Sequence, residues 1–109
     1  MSNKKEEFVI FGNPVEHSKS PQMHNAGFEN LKYKGIYKKH LLEDGNTIKD
    51  VFLQNNYKGA NITVPHKEFA YKNADEVRGL ANEIKAVNTY INENGKIIAY
   101  NTDAPGFLH

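Results

Sequence analysis

The fold is decided by the stretch GANITVPHK, residues 59–67, in which polar and apolar side chains alternate before a proline. Asn61 and Thr63 share one face of the predicted strand, Ala60–Val64, and apolar residues share the other. Because a central parallel strand is normally apolar on both faces, the polar face indicates either a bound ligand or plain solvation. The proline ends the strand, and Lys67 follows it; a lone lysine there is more often a surface charge than a catalytic group.

The segments on either side of this stretch predict alternating strands and helices. Phe8–Phe11 is a continuous apolar run and predicts a strand buried on both faces, whereas Ser20-Pro21 predicts a capped helix that runs to about Leu31. The next predicted element is a strand, Gly35–Leu42. A helix capped by Asn46 or Thr47 follows, with Ile48, Val51 and Phe52 on its apolar face. A later helix is capped by Asp75 and has Val77, Leu80, Ala81 and Ile84 on one face.

Asn94-Gly95 predicts a two-residue hairpin turn between the strands Val87–Asn92 and Lys96–Thr102. The register that this turn imposes places Asn88 and Asp103 on one face and at one end of the hairpin. The sequence therefore predicts a small polar cluster at the base of the hairpin.

The order of the elements predicts an α/β fold with an open, twisted, three-layer arrangement: a mainly parallel sheet with an antiparallel hairpin and helices on both faces. Such sheets bind ligands outside the carboxyl ends of their strands, where Lys67 is expected. The Asp103 carboxylate meets Lys67 there if the hairpin joins the sheet beside the third strand. Alternatively Asp103 caps a helix that starts at Ala104-Pro105, and the two roles are compatible.

The loop after the first strand, GNPVEHSKSPQMHN at residues 12–25, supplies two hydroxyl groups. Ser18 and Ser20 lie at the start of a predicted helix, where N–H groups and the helix dipole attract anions. A carboxylate is the expected guest. The alternative is that Ser20 only caps the helix and that Ser18 is an ordinary loop residue.

Length and composition exclude several classes of function. The 109 residues predict one domain with a modest core, and 14 Lys plus Arg against 13 Asp plus Glu predict neither nucleic-acid nor membrane binding. The chain has no cysteine, and its five histidines show no ligand spacing, so we expect no metal. The polar N-terminus carries no signal or membrane segment, which favours a cytoplasmic protein.

Four motifs, in order and across nearly the whole chain, resemble the N-terminal, substrate-binding domain of shikimate dehydrogenase. They are GNPVEHSKSPQMHN, NITVPHK, AVNT and NTDAPGF. The resemblance implies an oxidoreductase that uses NADP to reduce 3-dehydroshikimate to shikimate, on the pathway to aromatic amino acids.

The resemblance also implies which residues act. Lys67 would be the catalytic acid/base, and Asp103 beside it would mainly orient it. The residues implied to hold the substrate carboxylate are Ser18 and Ser20, with Thr63 close by. Those implied to hydrogen-bond the ring hydroxyls are Asn61, Asn88 and Asp103.

The sequence departs from the family at its C-terminal end. Ala104 stands where the family's Asn-Thr-Asp motif commonly continues with glycine, and the sequence contains no Gly-x-Gly-x-x-Gly nucleotide loop. We therefore assign residues 1–103 to a substrate-binding catalytic domain and 104–109 to the start of a connecting helix toward an NADP-binding domain absent from this chain. We expect the chain to fold, to bind shikimate weakly, to be inactive alone, and to self-associate, as a homodimer or otherwise, through apolar surface exposed by the truncation.

Two other functions stay open. A quinate/shikimate dehydrogenase would use pocket residues of similar type, and a non-redox module that binds polyhydroxylated acids would use the same edge without hydride transfer. A purely structural interaction domain is least favoured, because it gives no reason for Lys67, Asn88 and Asp103 to gather at one edge.

Overall fold

The computed structural model describes residues 5–16, 18–63, 65–79 and 81–102, which form a six-stranded sheet flanked by helices. In chain order the elements are β1 (Glu6–Gly12), α1 (Ser20–Asn30), β2 (Gly35–Leu41), a short 3-10 helix (Gly45–Thr47), α2 (Ile48–Gln54), β3 (Gly59–Ile62), α3 (Lys67–Asn73), β4 (Glu76–Val77), α4 (Ala81–Ile84), β5 (Thr89–Glu93) and β6 (Lys96–Tyr100). Asp103 and the segment predicted as a connecting helix, 104–109, lie outside the described residues.

The strand order across the sheet is β2-β1-β3-β5-β6-β4. Strand β1 is parallel to both β2 and β3, and β4 is parallel to β6. Strand β5 is antiparallel to both of its neighbours, β3 and β6. The predicted mixed sheet is therefore confirmed, and the hairpin lies beside the third strand.

The hairpin turn has the backbone that its sequence demands. Asn94 and Gly95 both have positive φ, 55° and 91°, as a type I′ turn requires. The Gly95 N–H donates to the Asn92 Oδ1 at 2.7 Å, and Glu93 pairs with Lys96. The predicted register is thus confirmed.

Helices cover both faces of the sheet. On one face the ring of Tyr90 packs edge-on against Phe52 of α2 at 5.3 Å, and its hydroxyl donates to the Ala70 carbonyl of α3 at 2.6 Å. On the other face Phe28 of α1 packs against Phe8 at 5.2 Å between ring centroids. The three-layer prediction is confirmed. The core on the α2 and α3 face includes Val9, Phe11, Ile48, Ala60, Ile62, Val87, Ile97 and Ala99.

The prediction of a helix capped by Asp75 is wrong. The Asp75 carboxylate instead accepts a hydrogen bond from the Ile97 N–H at 2.8 Å and contacts the Lys49 ammonium at 3.0 Å. The next two residues form the edge strand β4, and Gly79 has a φ of 68° that no right-handed helix contains. The apolar spacing matched a helix, but the edge of β6 offered hydrogen-bond partners that local spacing cannot reveal. Helix α4 is consequently one turn long.

Helix α3 was not predicted, because its sequence carries no start signal. Its N-cap residue, His66, makes no side-chain cap bond, and among its own residues Ala70 is the buried one. Strand β3 also ends at Ile62 instead of Val64, a residue outside the described part of the chain. Lys67 therefore begins a helix, not a loop that directly follows a strand.

Candidate functional site

The carboxyl ends of β1 and β3 and the base of the hairpin meet at one edge of the sheet. Phe11 pairs with Ile62 where the two parallel strands end, and the Thr63 N–H donates to the Phe11 carbonyl at 2.9 Å. Thr89, the first residue of β5, pairs with Asn61. The loop after β1, the segment after β3 and both ends of the hairpin base are thereby brought to the same edge.

The two serines of the first loop lie at the N-terminus of α1. The Ser18 Oγ accepts a hydrogen bond from the Ser20 N–H at 3.2 Å, and both residues are half-buried. The sequence predicted Ser20 as the N-cap, and this prediction is wrong. Helix α1 begins at Ser20, and its cap residue is Lys19, which makes no side-chain cap bond.

Asn61 projects toward the α1 face of the sheet and is joined to both neighbouring strands. Its Oδ1 accepts from the Tyr37 hydroxyl of β2 at 2.6 Å. Its Nδ2 lies 3.4 Å from the Thr89 Oγ1 of β5, a long hydrogen bond. The alternation of polar and apolar side chains in residues 59–67 thus places Asn61 in a polar network on this face.

The hairpin base is tied together by the Asn88 side chain, which is nearly buried. Its Nδ2 donates to the Thr102 Oγ1 at 2.9 Å, and its Oδ1 accepts from the Thr102 N–H at 2.9 Å. The same Oδ1 accepts from the Thr89 hydroxyl at 3.0 Å. Asn88 therefore fixes the position of Thr102, the residue before Asp103.

These contacts form one continuous series of hydrogen bonds from β2 through β3 to the base of the hairpin, which we call the edge chain. It runs through Tyr37, Asn61, Thr89, Asn88 and Thr102. The edge chain thus joins two of the residues that the resemblance implies for substrate binding, Asn61 and Asn88. Three of its members, Tyr37, Thr89 and Thr102, were missed from sequence.

The missed members differ in how far the sequence could have revealed them. Thr89 and Thr102 belong to the motifs AVNT and NTDAPGF, so their polar side chains were visible beside the predicted residues. Tyr37 lies in an otherwise ordinary strand. Its place on the same face as Asn61 follows only from the strand order, in which β1 separates β2 from β3.

Burial raises the pKa of Tyr37 well above its ordinary value, and the nearby Ser20 hydroxyl offsets part of this effect. The phenol group is therefore protonated throughout the neutral range. It has one proton to donate, and in this structure Asn61 receives it.

Lys67 is held by the main chain of α3 against the start of the hairpin. Its carbonyl accepts from the Val87 N–H at 3.2 Å, and the helix is tied to β5 through Tyr90 and Ala70. The preceding residue, His66, is 1% exposed, and its Nε2 contacts the Leu42 carbonyl oxygen. The backbone on both sides of Lys67 is thus anchored, whereas its pairing with Asp103 stays a prediction, since Asp103 lies outside the described residues.

The described ranges contain neither a metal site nor a membrane-spanning helix. No group of three or more His, Cys, Asp or Glu side chains within them could hold a metal ion, and no helix there is long and apolar enough to cross a membrane. A cavity of about 520 Å³ lies at the opposite end of the sheet, beside Glu7, Lys58 and the hairpin turn. None of the residues that line it belongs to the edge chain.

Together, the fold and the site define a mixed α/β domain whose strand ends carry hydroxyl and amide groups at one edge. The chain belongs to the shikimate dehydrogenase substrate binding domain family, whose sequence model matches residues 10–90. The resemblance inferred from the four motifs is confirmed.

Relatives and solved structures agree with this assignment. A shikimate dehydrogenase (NADP(+)) of Helicobacter hepaticus is 48% identical over 101 residues, which are 92% of this chain and 38% of the relative. The crystal structure of shikimate dehydrogenase from Aquifex aeolicus matches with a TM-score of 0.88 and 36% identity, over 99% of this chain and 41% of that one.

A third match was solved with a ligand. Shikimate 5-dehydrogenase from Thermus thermophilus, in complex with shikimate, matches with a TM-score of 0.84 and 36% identity, over 94% of this chain and 40% of that one. The chain therefore spans about two fifths of the length of the relatives that it matches.

Proposed function

We propose that this chain is the substrate-binding half of an NADP-dependent shikimate dehydrogenase, which reduces 3-dehydroshikimate to shikimate in aromatic amino-acid biosynthesis. The observation that carries the proposal is the edge chain, which connects hydroxyl and amide groups of β2, β3 and the hairpin base at the ligand-binding edge of the fold. A family member solved with shikimate supports the choice of substrate. A cytoplasmic location is part of the proposal.

Different site residues would bind different groups of the substrate. Ser18 and Ser20, at the positive end of the α1 dipole, would bind the carboxylate, with Thr63 nearby. The amide groups of Asn61 and Asn88 would bind ring hydroxyls, because an amide both donates and accepts hydrogen bonds.

Lys67 would complete the reaction at the ketone. NADPH, which a domain outside this chain would hold, would supply the hydride that forms the new C–H bond. As the carbonyl π bond breaks, negative charge grows on oxygen, and the Lys67 ammonium donates the proton that forms the O–H bond. Asp103 would orient the ammonium group.

The proposed division of the chain is residues 1–103 for substrate binding and 104–109 for the link to the NADP domain. The chain alone would bind shikimate and not turn it over. Apolar side chains that the second domain would otherwise cover would favour self-association; the large exposed ones include Met23, Leu31, Leu41 and Ile84.

A chimaera tests the proposed activity. The remainder of the Helicobacter hepaticus relative is fused after residue 109, and oxidation of NADPH is followed with 3-dehydroshikimate. We expect turnover, and we expect Lys67→Met to lower kcat by at least about 100-fold while shikimate still binds. Lys72→Met, in the last turn of the same helix, is the matched control and should keep the parent rate.

Three outcomes would separate the alternatives. Equal turnover by the Lys67→Met chimaera would refute the role of Lys67. A chimaera that binds shikimate without turnover would favour the non-redox binding module. Faster NADP-dependent oxidation of quinate than of shikimate would favour a quinate/shikimate dehydrogenase.

A further inference from the structure

The direction of the hydrogen bonds in the edge chain is fixed by one backbone group. The Thr102 N–H can only donate, and the Asn88 Oδ1 accepts from it at 2.9 Å. The Thr89 hydroxyl, 3.0 Å from the same Oδ1, must therefore donate there as well. Because its one proton is used in this way, the Thr89 Oγ1 is the acceptor for the Asn61 Nδ2.

The Asn61 amide is held between an acceptor on one side and a donor on the other. On the β5 side its Nδ2 donates to Thr89 over a long 3.4 Å, and on the β2 side its Oδ1 accepts from the protonated Tyr37 phenol over 2.6 Å. A flipped amide would bring its oxygen against the Thr89 oxygen, whose proton is directed at Asn88. The short bond to Tyr37 is the stronger of the two restraints on the amide.

We propose that Tyr37 is a positioning residue, which orients the half-buried Asn61 amide so that its NH₂ group, and not its carbonyl oxygen, faces the ring of the ligand. The inference rests on the proposed function. The NH₂ group lies on the β5 side of Asn61, where Val87, bonded to the Lys67 carbonyl, leads into Asn88. Asn61 would then donate to a ligand oxygen, and the site would recognise the lone pair of that oxygen.

The Tyr37 side chain is held independently of its hydroxyl group. The residue is 4% exposed, and its ring stacks on His24 with 4.4 Å between centroids and an interplanar angle of 11°. The Tyr37 backbone N–H and carbonyl are both bonded to the Asn25 side chain, at 2.7 and 2.9 Å. Tyr37→Phe keeps the ring and the backbone bonds, so it removes the restraint on Asn61 alone.

The first readout is the set of NOEs from the Asn61 side-chain amide protons in the 109-residue chain without ligand. In the parent we expect stronger NOEs to the Thr89 side chain than to the Tyr37 ring. In Tyr37→Phe, where only the long bond remains, the amide protons should show NOEs to both sides. Tyr33→Phe, which removes a phenol that donates to Glu6 away from the edge chain, should keep the parent pattern.

The second readout is the affinity for two ligands that differ in their hydroxyl groups. Shikimate carries the ring hydroxyls, whereas 1-cyclohexenecarboxylate has the carboxylate and none of them. Tyr37→Phe should raise the dissociation constant of shikimate at least about fivefold and leave that of 1-cyclohexenecarboxylate unchanged. A general distortion of the site would weaken both ligands equally. Tyr33→Phe should bind both as the parent does.

The outcomes distinguish this inference from the proposed function. If the parent binds no shikimate, the proposed function of this chain fails and the role of Tyr37 fails with it. If the parent binds shikimate, yet its Asn61 amide protons lie against the Tyr37 ring, the inference alone is overturned, whether or not Tyr37→Phe folds. A folded Tyr37→Phe chain that keeps the parent affinity for shikimate, or loses affinity equally for both ligands, overturns it as well.

Discussion

The methyl group of Thr63 lies 2.4 Å from the position that a Cβ atom on Gly12 would occupy. A hypothetical Cβ there would also lie 2.9 Å from the Val15 Cγ1. The end of β1 and the segment after β3 are thus in direct contact, and glycine at position 12 makes that contact possible.

Gly12→Ala is therefore expected to displace Thr63 or Val15 and to lower the free energy of unfolding by about 1–3 kcal/mol. Chemical denaturation measures the change. Gly27→Ala is the control, because a Cβ at that exposed position of α1 meets nothing within 4 Å, and alanine should stabilise the helix by about 0.5–1 kcal/mol. A Gly12→Ala chain as stable as the parent would contradict the contact.

Tyr90→Phe tests how α3, the helix that carries Lys67, is fixed to the sheet. The Tyr90 hydroxyl is buried and donates to the Ala70 carbonyl, so its loss leaves a buried acceptor and should cost about 1–2 kcal/mol of unfolding free energy. Amide exchange in α3 should accelerate. Tyr71→Phe, which removes an exposed hydroxyl bonded to Asn82, should cost less than about 0.5 kcal/mol. Equal effects of the two substitutions would refute the anchoring role.

Asp75 makes the stability of the chain depend on pH. Two contacts hold the pKa of the Asp75 carboxyl below its ordinary value of 3.8. The hydrogen bond from the Ile97 N–H has the larger effect, and the contact with Lys49 has the next largest. A lowered pKa in the folded chain adds stability above the ordinary value, and this stability is lost as the pH falls through the lower native value.

Asp75→Asn should therefore lower the unfolding free energy by about 1 kcal/mol at neutral pH, because a charged acceptor strengthens a hydrogen bond and the exposed ion pair adds little. The difference from the parent should shrink below about pH 4. Urea unfolding at several pH values measures it, with Glu29→Gln on exposed α1 surface as control. A difference that stays constant down to about pH 2 would contradict the assignment.

Two residues after the end of helix α1, a lysine has a backbone conformation that favours glycine. Lys32 has a φ of 55°, its N–H donates to the Glu29 carbonyl, and the Tyr33 N–H donates back to the Phe28 carbonyl at 2.8 Å. Lys32→Gly should raise the unfolding free energy by about 0.5–1 kcal/mol, because glycine adopts positive φ without strain. Lys34→Gly, two residues later and without positive φ, should not stabilise the chain. A destabilised Lys32→Gly chain would refute the argument from strain.

The parts of the fold that local sequence determines were predicted well. The Asn94-Gly95 turn, the apolar run of β1 and the Ser20-Pro21 helix start each carry their own signal within a few residues. The hairpin register followed from the turn and brought Asn88 to the ligand-binding edge. These predictions needed no knowledge of what the segments contact.

The errors lie where distant residues decide the structure. Asp75 has the spacing of a helix cap, but its carboxylate accepts a hydrogen bond from the Ile97 N–H of β6. Lys67 begins a helix that is stabilised by contacts with Tyr90 and Val87, 20 or more residues away in sequence. Tyr37 became visible as part of the site only through the order of the strands, which no local pattern encodes.

The most direct test of the central claim is an NMR titration of the 109-residue chain with shikimate, with a chain carrying Ser18→Ala and Asn61→Ala as the control. If the claim is right, amides near Ser18, Ser20, Asn61 and Asn88 shift in a saturable way in the parent, and the control chain binds at least about tenfold more weakly. If a folded parent chain shows no shift at these residues at saturating shikimate, the chain does not hold the substrate by itself, and the account is contradicted.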